Sequence, residues 1–173
     1  MKWILMDYSV ETLNNFKGDL IELKNYPNLK ELEIVNNEFD DELKYLPVGL
    51  KILKIYSPIF NKELNKLPGC LDILVIHCDN FNKKLDNLPI GLEVLEIYHC
   101  NNFNQELKNL PLSLKKLKIE MCYNFNEKLG NLPLNLKRLY IEKEYVDYYS
   151  LEEMLDMIPL SCELYVNGKK IDL

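Results

Sequence analysis

The chain has 173 residues, 28% of them charged and 47% hydrophobic, with a formal net charge of −6. That length fits one domain, and the acidic balance argues against a binder of nucleic-acid backbone, which presents clustered basic side chains. No apolar run approaches the ~20 residues of a membrane span, and Trp3–Met6 falls short of the ~7–15 apolar residues of a secretory leader, so the expected location is cytoplasmic.

In chain order, the first elements are irregular. Trp3–Met6 reads as a short strand, and Ser9 has the hydroxyl to cap a helix running through about Asn15. A degenerate unit follows, marked by Pro27, Leu29, Leu32 and Ile34, so residues 1–27 are read as an amino-terminal cap.

From Phe39 onward the chain repeats itself. A Phe followed by Asn or Asp comes eight residues before a Leu-Pro pair, and a Leu-x-x-Leu-x-Ile stretch follows. The copies begin at Phe39, Phe60, Phe81, Phe103 and Phe125, a period of 21 to 22 residues. So short a period predicts a solenoid, in which each unit buries its apolar face on the next. The pairs Leu32/Ile34, Leu53/Ile55, Leu74/Ile76, Leu95/Ile97, Leu117/Ile119 and Leu139/Ile141 show the period-2 pattern of a strand with one buried face. Pro47, Pro68, Pro89, Pro111 and Pro133 stand six residues before the first Leu of a pair, outside the ladder. Phe-Asn-x-x-Leu-x-x-Leu spaces its apolar residues four and three apart, which predicts a short helical or 3-10 turn on the opposite wall. Units identical in order lay their strands parallel. The expected fold class is therefore α/β, a leucine-rich-repeat-like right-handed solenoid with a parallel sheet of one short strand per repeat, over residues 28–145.

Two polar columns recur beside the apolar ones. Asn36, Ser57, Cys78, Cys100 and Cys122 fall where each strand bends away, and Asp40, Asn61, Asn82, Asn104 and Asn126 follow the Phe residues. Both are expected to be buried ladders that satisfy loop amides. At the end, Ser150-Leu-Glu-Glu153 is a capping box leading into a helix to about Met157, which Pro159 terminates. A strand at Glu163–Val166 precedes Asn167-Gly168, a type I′ hairpin signal that returns Lys169–Leu173 antiparallel. Residues 146–173 thus form a carboxyl-terminal helix-hairpin cap, and residues 1–173 are expected to be a complete, single solenoid domain.

Side chains flanking each Leu-x-Ile pair point away from the core, toward the concave face. Across neighbouring strands they form three columns. The first is Glu31, Ile52, Ile73, Val94, Lys116 and Arg138; the second is Glu33, Lys54, Val75, Glu96, Lys118 and Tyr140; the third is Val35, Tyr56, His77, Tyr98, Glu120 and Glu142. The middle repeats present an apolar and aromatic patch with charges around it, the composition of a protein-binding surface. Strands also favour β-branched and aromatic residues for their own sake. The candidate partner-binding residues are Ile52, Lys54, Tyr56, Ile73, Val75, His77, Val94, Glu96, Tyr98, Lys116, Lys118, Arg138 and Tyr140.

A rival reading takes the row His77, Cys78, His99, Cys100 and Cys122 as metal ligands or catalytic groups. Paired ligands two to four residues apart are missing from it, and strand neighbours point to opposite faces. The five cysteines are an odd count without the spacing of a disulfide framework and are expected as free thiols. No Gly-rich phosphate loop is present. The expectation is a non-enzymatic, monomeric module that binds a protein, with no cofactor, no metal, no nucleic acid and no membrane. A structural, self-associating protein is the third reading.

With its Phe-Asn included, the unit resembles the FNIP repeat, a leucine-rich-repeat relative of social amoebae and giant amoebal viruses, over roughly residues 28–145. A Pro often follows two residues after the family's Phe-Asn. Glu42, Glu63, Lys84, Glu106 and Lys128 stand there instead, which predicts a more helical backbone after each Phe. The resemblance implies a substrate receptor for a ubiquitin ligase, since many members carry an amino-terminal F-box. About 27 residues precede the first unit, fewer than an F-box needs, so the adaptor would have to come from another chain. A viral origin would place the protein in the host cytoplasm.

Overall fold

Leu-x-Ile pairs at a fixed period build one continuous sheet. The computed structural model describes residues 10–127, 129, 131–142 and 158–171. The strands are β1 (Thr12–Phe16), β2 (Glu31–Val35), β3 (Ile52–Tyr56), β4 (Ile73–His77), β5 (Val94–Tyr98), β6 (Lys116–Glu120), β7 (Arg138–Ile141), β8 (Glu163–Val166) and β9 (Lys169–Ile171). They lie side by side in chain order. All neighbours from β1 to β8 are parallel, and β9 alone turns back antiparallel. Register keeps like with like: Leu32, Leu53, Leu74, Leu95, Leu117, Leu139 and Leu164 pair in one row. These leucines are buried with the Ile row beneath the sheet.

The opposite wall of the core is a column of rings. Phe39, Phe60, Phe81, Phe103 and Phe125 stack nearly parallel, with successive centroids 5.4, 6.1, 5.9 and 5.7 Å apart. All five are buried. Offset stacking at this separation adds about 0.5–1.5 kcal/mol per pair beyond the area buried.

The return segments differ from expectation. After Phe39, Phe60, Phe81 and Phe103 the chain makes turns but no helix, and among the described residues the one helical element on this wall is the 3-10 helix Leu20–Asn25 of the degenerate first unit. The reason lies in the Asn column. Asn61 N–H donates to Asp40 Oδ1 (2.9 Å), Asn82 N–H to Asn61 Oδ1 (3.0 Å), Asn104 N–H to Asn82 Oδ1 (3.1 Å) and Asn126 N–H to Asn104 Oδ1 (2.9 Å). Each amide bonds to the preceding coil, so the backbone need not curl onto itself to be satisfied. This ladder is not buried as expected: Asp40, Asn61 and Asn82 are half-buried, Asn104 and Asn126 exposed. The side chains reach along the stacking axis, outside the Phe column.

The other polar column is buried from its second member on. Ser57 Oγ donates to Phe39 O (2.8 Å), and the thiols of Cys78, Cys100 and Cys122 donate to the strand carbonyls of Ile55, Ile76 and Ile97 in the preceding units (3.6–3.7 Å). Asn36 is only half-buried and accepts from Glu38 N–H within its own loop (2.9 Å).

Both ends have their own outcomes. The helix expected up to Asn15 is instead β1, whose Leu13 and Phe16 pack against the core; a register shift within it is absorbed by Asn15 at φ 54°. Apolar contact with the sheet outweighs a helix only a few residues long. The Trp3–Met6 strand, Ser9 and the helix from Ser150 to Met157 lie outside the described residues. At the far end, Asn167 (φ 48°) and Gly168 (φ 74°) make the two left-handed corners of the expected turn between β8 and β9.

Candidate functional site

Strand register places the three expected columns on the open face of the sheet. Glu31, Ile52, Ile73, Val94, Lys116 and Arg138 pair in sequence, as do Glu33, Lys54, Val75, Glu96, Lys118 and Tyr140, and Val35, Tyr56, His77, Tyr98 and Glu120. Glu142 lies just beyond the end of β7, its N–H bonded to Ile119 O (2.9 Å). Ile52, Ile73, Val94, Tyr56, His77 and Tyr98 are half-buried, as a row of close neighbours on a sheet must be. Val75 corrects the expectation. It is only 6% exposed, a short side chain between the longer Lys54 and Glu96 that pair with it on either side, so it offers little contact area.

The charged residues are engaged with one another. Lys54 Nζ lies 2.7 Å from Glu31, Lys116 Nζ 2.6 Å from Glu96, and Lys118 Nζ 2.7 Å from Glu120. Tyr98 O–H donates to Glu96 (2.9 Å) while Lys118 sits over its ring, 4.6 Å from the centroid. Burial raises the Glu96 carboxyl, but the hydrogen bonds from Lys116 and Tyr98 and the charges of Lys116 and Lys118 outweigh it and hold the group below its ordinary range. Burial likewise pushes the Tyr98 hydroxyl up. Lys116 and Lys118 also flank the Tyr140 ring, at 5.5 and 5.7 Å.

Two residues that sequence reasoning left out belong to this face. Glu163 and Tyr165 of β8 continue the first and second columns, and Tyr165 stacks on Tyr140 with centroids 4.6 Å apart. Cys162-Glu-Leu-Tyr-Val166 was readable as another Leu-x-x-Leu-x-Ile stretch, but one residue is missing between its Pro and its strand.

The His/Cys row divides. His77 and His99 stack on the sheet side, whereas the Cys78, Cys100 and Cys122 thiols are buried against strand carbonyls. Burial pushes the Cys78 thiol up to about 12 and raises that of Cys100 as well, the opposite of an activated nucleophile. The hydrogen bond with Cys100, by contrast, lowers the Cys122 thiol against its own burial. Among the described residues no three His, Cys, Asp or Glu side chains converge as a metal would require. A depression on the return wall is lined by charged and amide side chains such as Lys84, Asp86, Glu106 and Lys108. No helix among the described residues is long and apolar enough to cross a membrane.

Fold and face together define a leucine-rich-repeat-like solenoid whose parallel sheet carries one strand per repeat. Among solved structures the chain is similar to CroV588, a circular leucine-rich-repeat protein of a giant virus, with 26% identity and a TM-score of 0.51. The match covers 73% of this chain and 26% of CroV588, so the chain spans about a quarter of that protein's length. No family model matches the sequence, and no curated protein does.

Proposed function

We propose that the chain is a non-enzymatic interaction module that binds a protein partner on the open face of its sheet. One observation supports this reading above others. Ile52, Ile73 and Val94 form one row and Tyr56, His77 and Tyr98 another on the same three strands. Between this apolar row and this aromatic row lie Lys54, the sunken Val75 and Glu96, and both of those charges are paired with neighbours on the face. Such a surface is held rigid before any partner arrives, so little side-chain freedom is lost on docking, and Tyr is among the residues that dominate interface energies. Beyond the charged β6 residues Lys116, Lys118 and Glu120, Tyr140 and Tyr165 add a stacked aromatic pair toward the carboxyl end. The likeness of the repeat to FNIP units supports a finer role: recognition of a substrate for a ubiquitin ligase, in the cytoplasm.

Affinity capture with wild-type bait against a Tyr56→Ala/Tyr98→Ala variant tests the reading. A protein retained by the wild type and lost with the variant, at matched thermal stability, is the expected result. Equal retention by both baits would move the binding surface elsewhere.

A further inference from the structure

A second surface lies along the turns that lead into the strands. Val48, Ile90, Leu112, Leu134 and Leu160 each follow the Pro of such a turn, and their exposure runs from 73% for Leu112 to complete for Leu160. The turns are closed by hydrogen bonds: Leu50 N–H to Pro47 O, Leu92 N–H to Pro89 O, Leu114 N–H to Pro111 O, Leu136 N–H to Pro133 O and Cys162 N–H to Pro159 O, at 2.8–3.1 Å. The residue after each Pro is thereby held at an outer corner. Side chains of one turn also bond the corner carbonyl of the turn before. Cys70 Sγ donates to Val48 O (2.8 Å), Ser113 Oγ to Ile90 O (2.8 Å) and Asn135 Nδ2 to Leu112 O (3.0 Å). Corners therefore recur at about the strand interval of ~4.8 Å. The ridge has one gap, at Gly69, where an added Cβ would meet nothing within 4 Å.

Single exposed aliphatic residues are ordinary on a soluble protein. Five of them at the same corner of successive turns are not, because such corners favour Pro and small polar residues. None of the five contributes to the core.

We propose that this ridge is a self-association surface, covered by the same ridge of a second copy of the chain. Pitch is the first argument: teeth spaced at one strand interval mesh along their whole length with another row of the same spacing. Charge is the second. The residues immediately beside the ridge on the strand side, Gly49, Cys70, Gly91, Ser113, Asn135 and Ser161, are all uncharged. No charged residue of the ridge edge itself has to be desolvated, and the like net charges of −6 on the two copies add to the weakness of the association. Area is the third. Each aliphatic side chain offers on the order of 100 Å², so two ridges bury roughly 1,000 Å², near the low end of specific interfaces. The dimer is accordingly weak and concentration-dependent, in place of the monomer expected from sequence. It leaves the open face of the sheet free, so it stands or falls separately from partner binding there.

Sedimentation equilibrium on the full chain, from about 10 μM to about 1 mM, tests the proposal. The wild-type average mass should climb from 20.5 kDa toward twice that value. A Leu112→Lys/Leu134→Lys variant should remain at 20.5 kDa with an unchanged thermal melt. A second pair at the ridge ends, Val48→Lys/Leu160→Lys, should show the same loss. A wild type that stays at the monomer mass throughout, or lysine variants that associate as it does, would overturn the proposal. So would ridge-dependent binding of a monomer to phosphatidylcholine vesicles, which would assign the ridge to a membrane.

Discussion

His77 and His99 stack face to face, with ring centroids 4.6 Å apart and planes 15° from parallel, although they stand at different distances from their strands. His77 is the last residue of β4, whereas His99 is the extra residue of a 22-residue unit, inserted between Tyr98 and Cys100. It takes a left-handed conformation (φ 46°), as Met121 does (φ 51°) at the same place in the next unit. The insertion is thus a kink at the strand end that swings a ring back over the sheet while the Cys column continues undisturbed.

Through His77, stability should depend on mild acid. Burial, and then the neighbouring His99, lower the pKa of His77 below 6.5, with Asp79 pulling weakly the other way. A histidine depressed in the folded state binds its proton more readily unfolded, so stability falls as pH drops through 6.5 and keeps falling until the folded group also protonates. Tyr56 and Tyr98, which pair with His77 on either side, carry no charge in this range. Melting temperatures from about pH 7 to about pH 5.5 should fall more steeply for the wild type than for His77→Gln. Parallel slopes would show that His77 does not couple to protons.

Phe103 is the fourth ring of the core column, stacked on both Phe81 and Phe125 and fully buried. Phe103→Ala should destabilise the chain by about 3–5 kcal/mol, since close neighbours on both sides limit collapse into the void. Denaturant titration reads the loss directly; a change below about 1 kcal/mol would mean that the column contributes little to stability.

Burial should separate two substitutions in the polar columns. Ser57→Ala strips a completely buried hydroxyl from Phe39 O, leaving a carbonyl that water cannot reach, and should cost about 1–3 kcal/mol. Asn82→Ala removes the acceptor of Asn104 N–H and Gln105 Nε2, yet both donors lie near the surface, so the expected cost is about 0.5–1 kcal/mol. Chemical denaturation of the two variants side by side should reproduce this order.

Thiol chemistry should follow position in the turn. Cys70 is half-exposed beside Val48, while Cys78, Cys100 and Cys122 are sealed in the core. Brief alkylation of the native protein, followed by peptide mass mapping, should label Cys70 first. Early labelling of Cys78 would contradict its buried, protonated state.

Tyr98 anchors the proposed docking face and also holds Glu96 and Lys118. Tyr98→Ser should therefore cost a modest amount, about 0.5–1.5 kcal/mol, while partner retention is lost. Retention that survives with this variant would leave the Tyr98 ring without a part in docking.

Much of the face could be read in advance, because parallel strands in register turn a 21-residue spacing into lateral contact. Tyr56 beside His77 and Lys54 beside Val75 follow from that spacing alone. Tyr165 did not, since a one-residue deletion before β8 hides the repeat. Nor did the corner ridge, because Val48, Ile90, Leu112, Leu134 and Leu160 look like core residues until the turn geometry shows them outside.

The period and its apolar pattern determined by themselves that the chain winds as stacked coils, with Leu, Ile and Phe inside. That follows because neighbouring units must share one buried face. The Asn column already pointed to loop amides satisfied between coils; tertiary structure alone decided that no helical turn accompanies it and which side chains stay wet. Asn61, Asn82 and Asn104 bond to the coil before them instead of closing helical turns, and Val75 sinks between Lys54 and Glu96. Both outcomes depend on distances between chain segments about 21 residues apart, which appear only once the coils are packed.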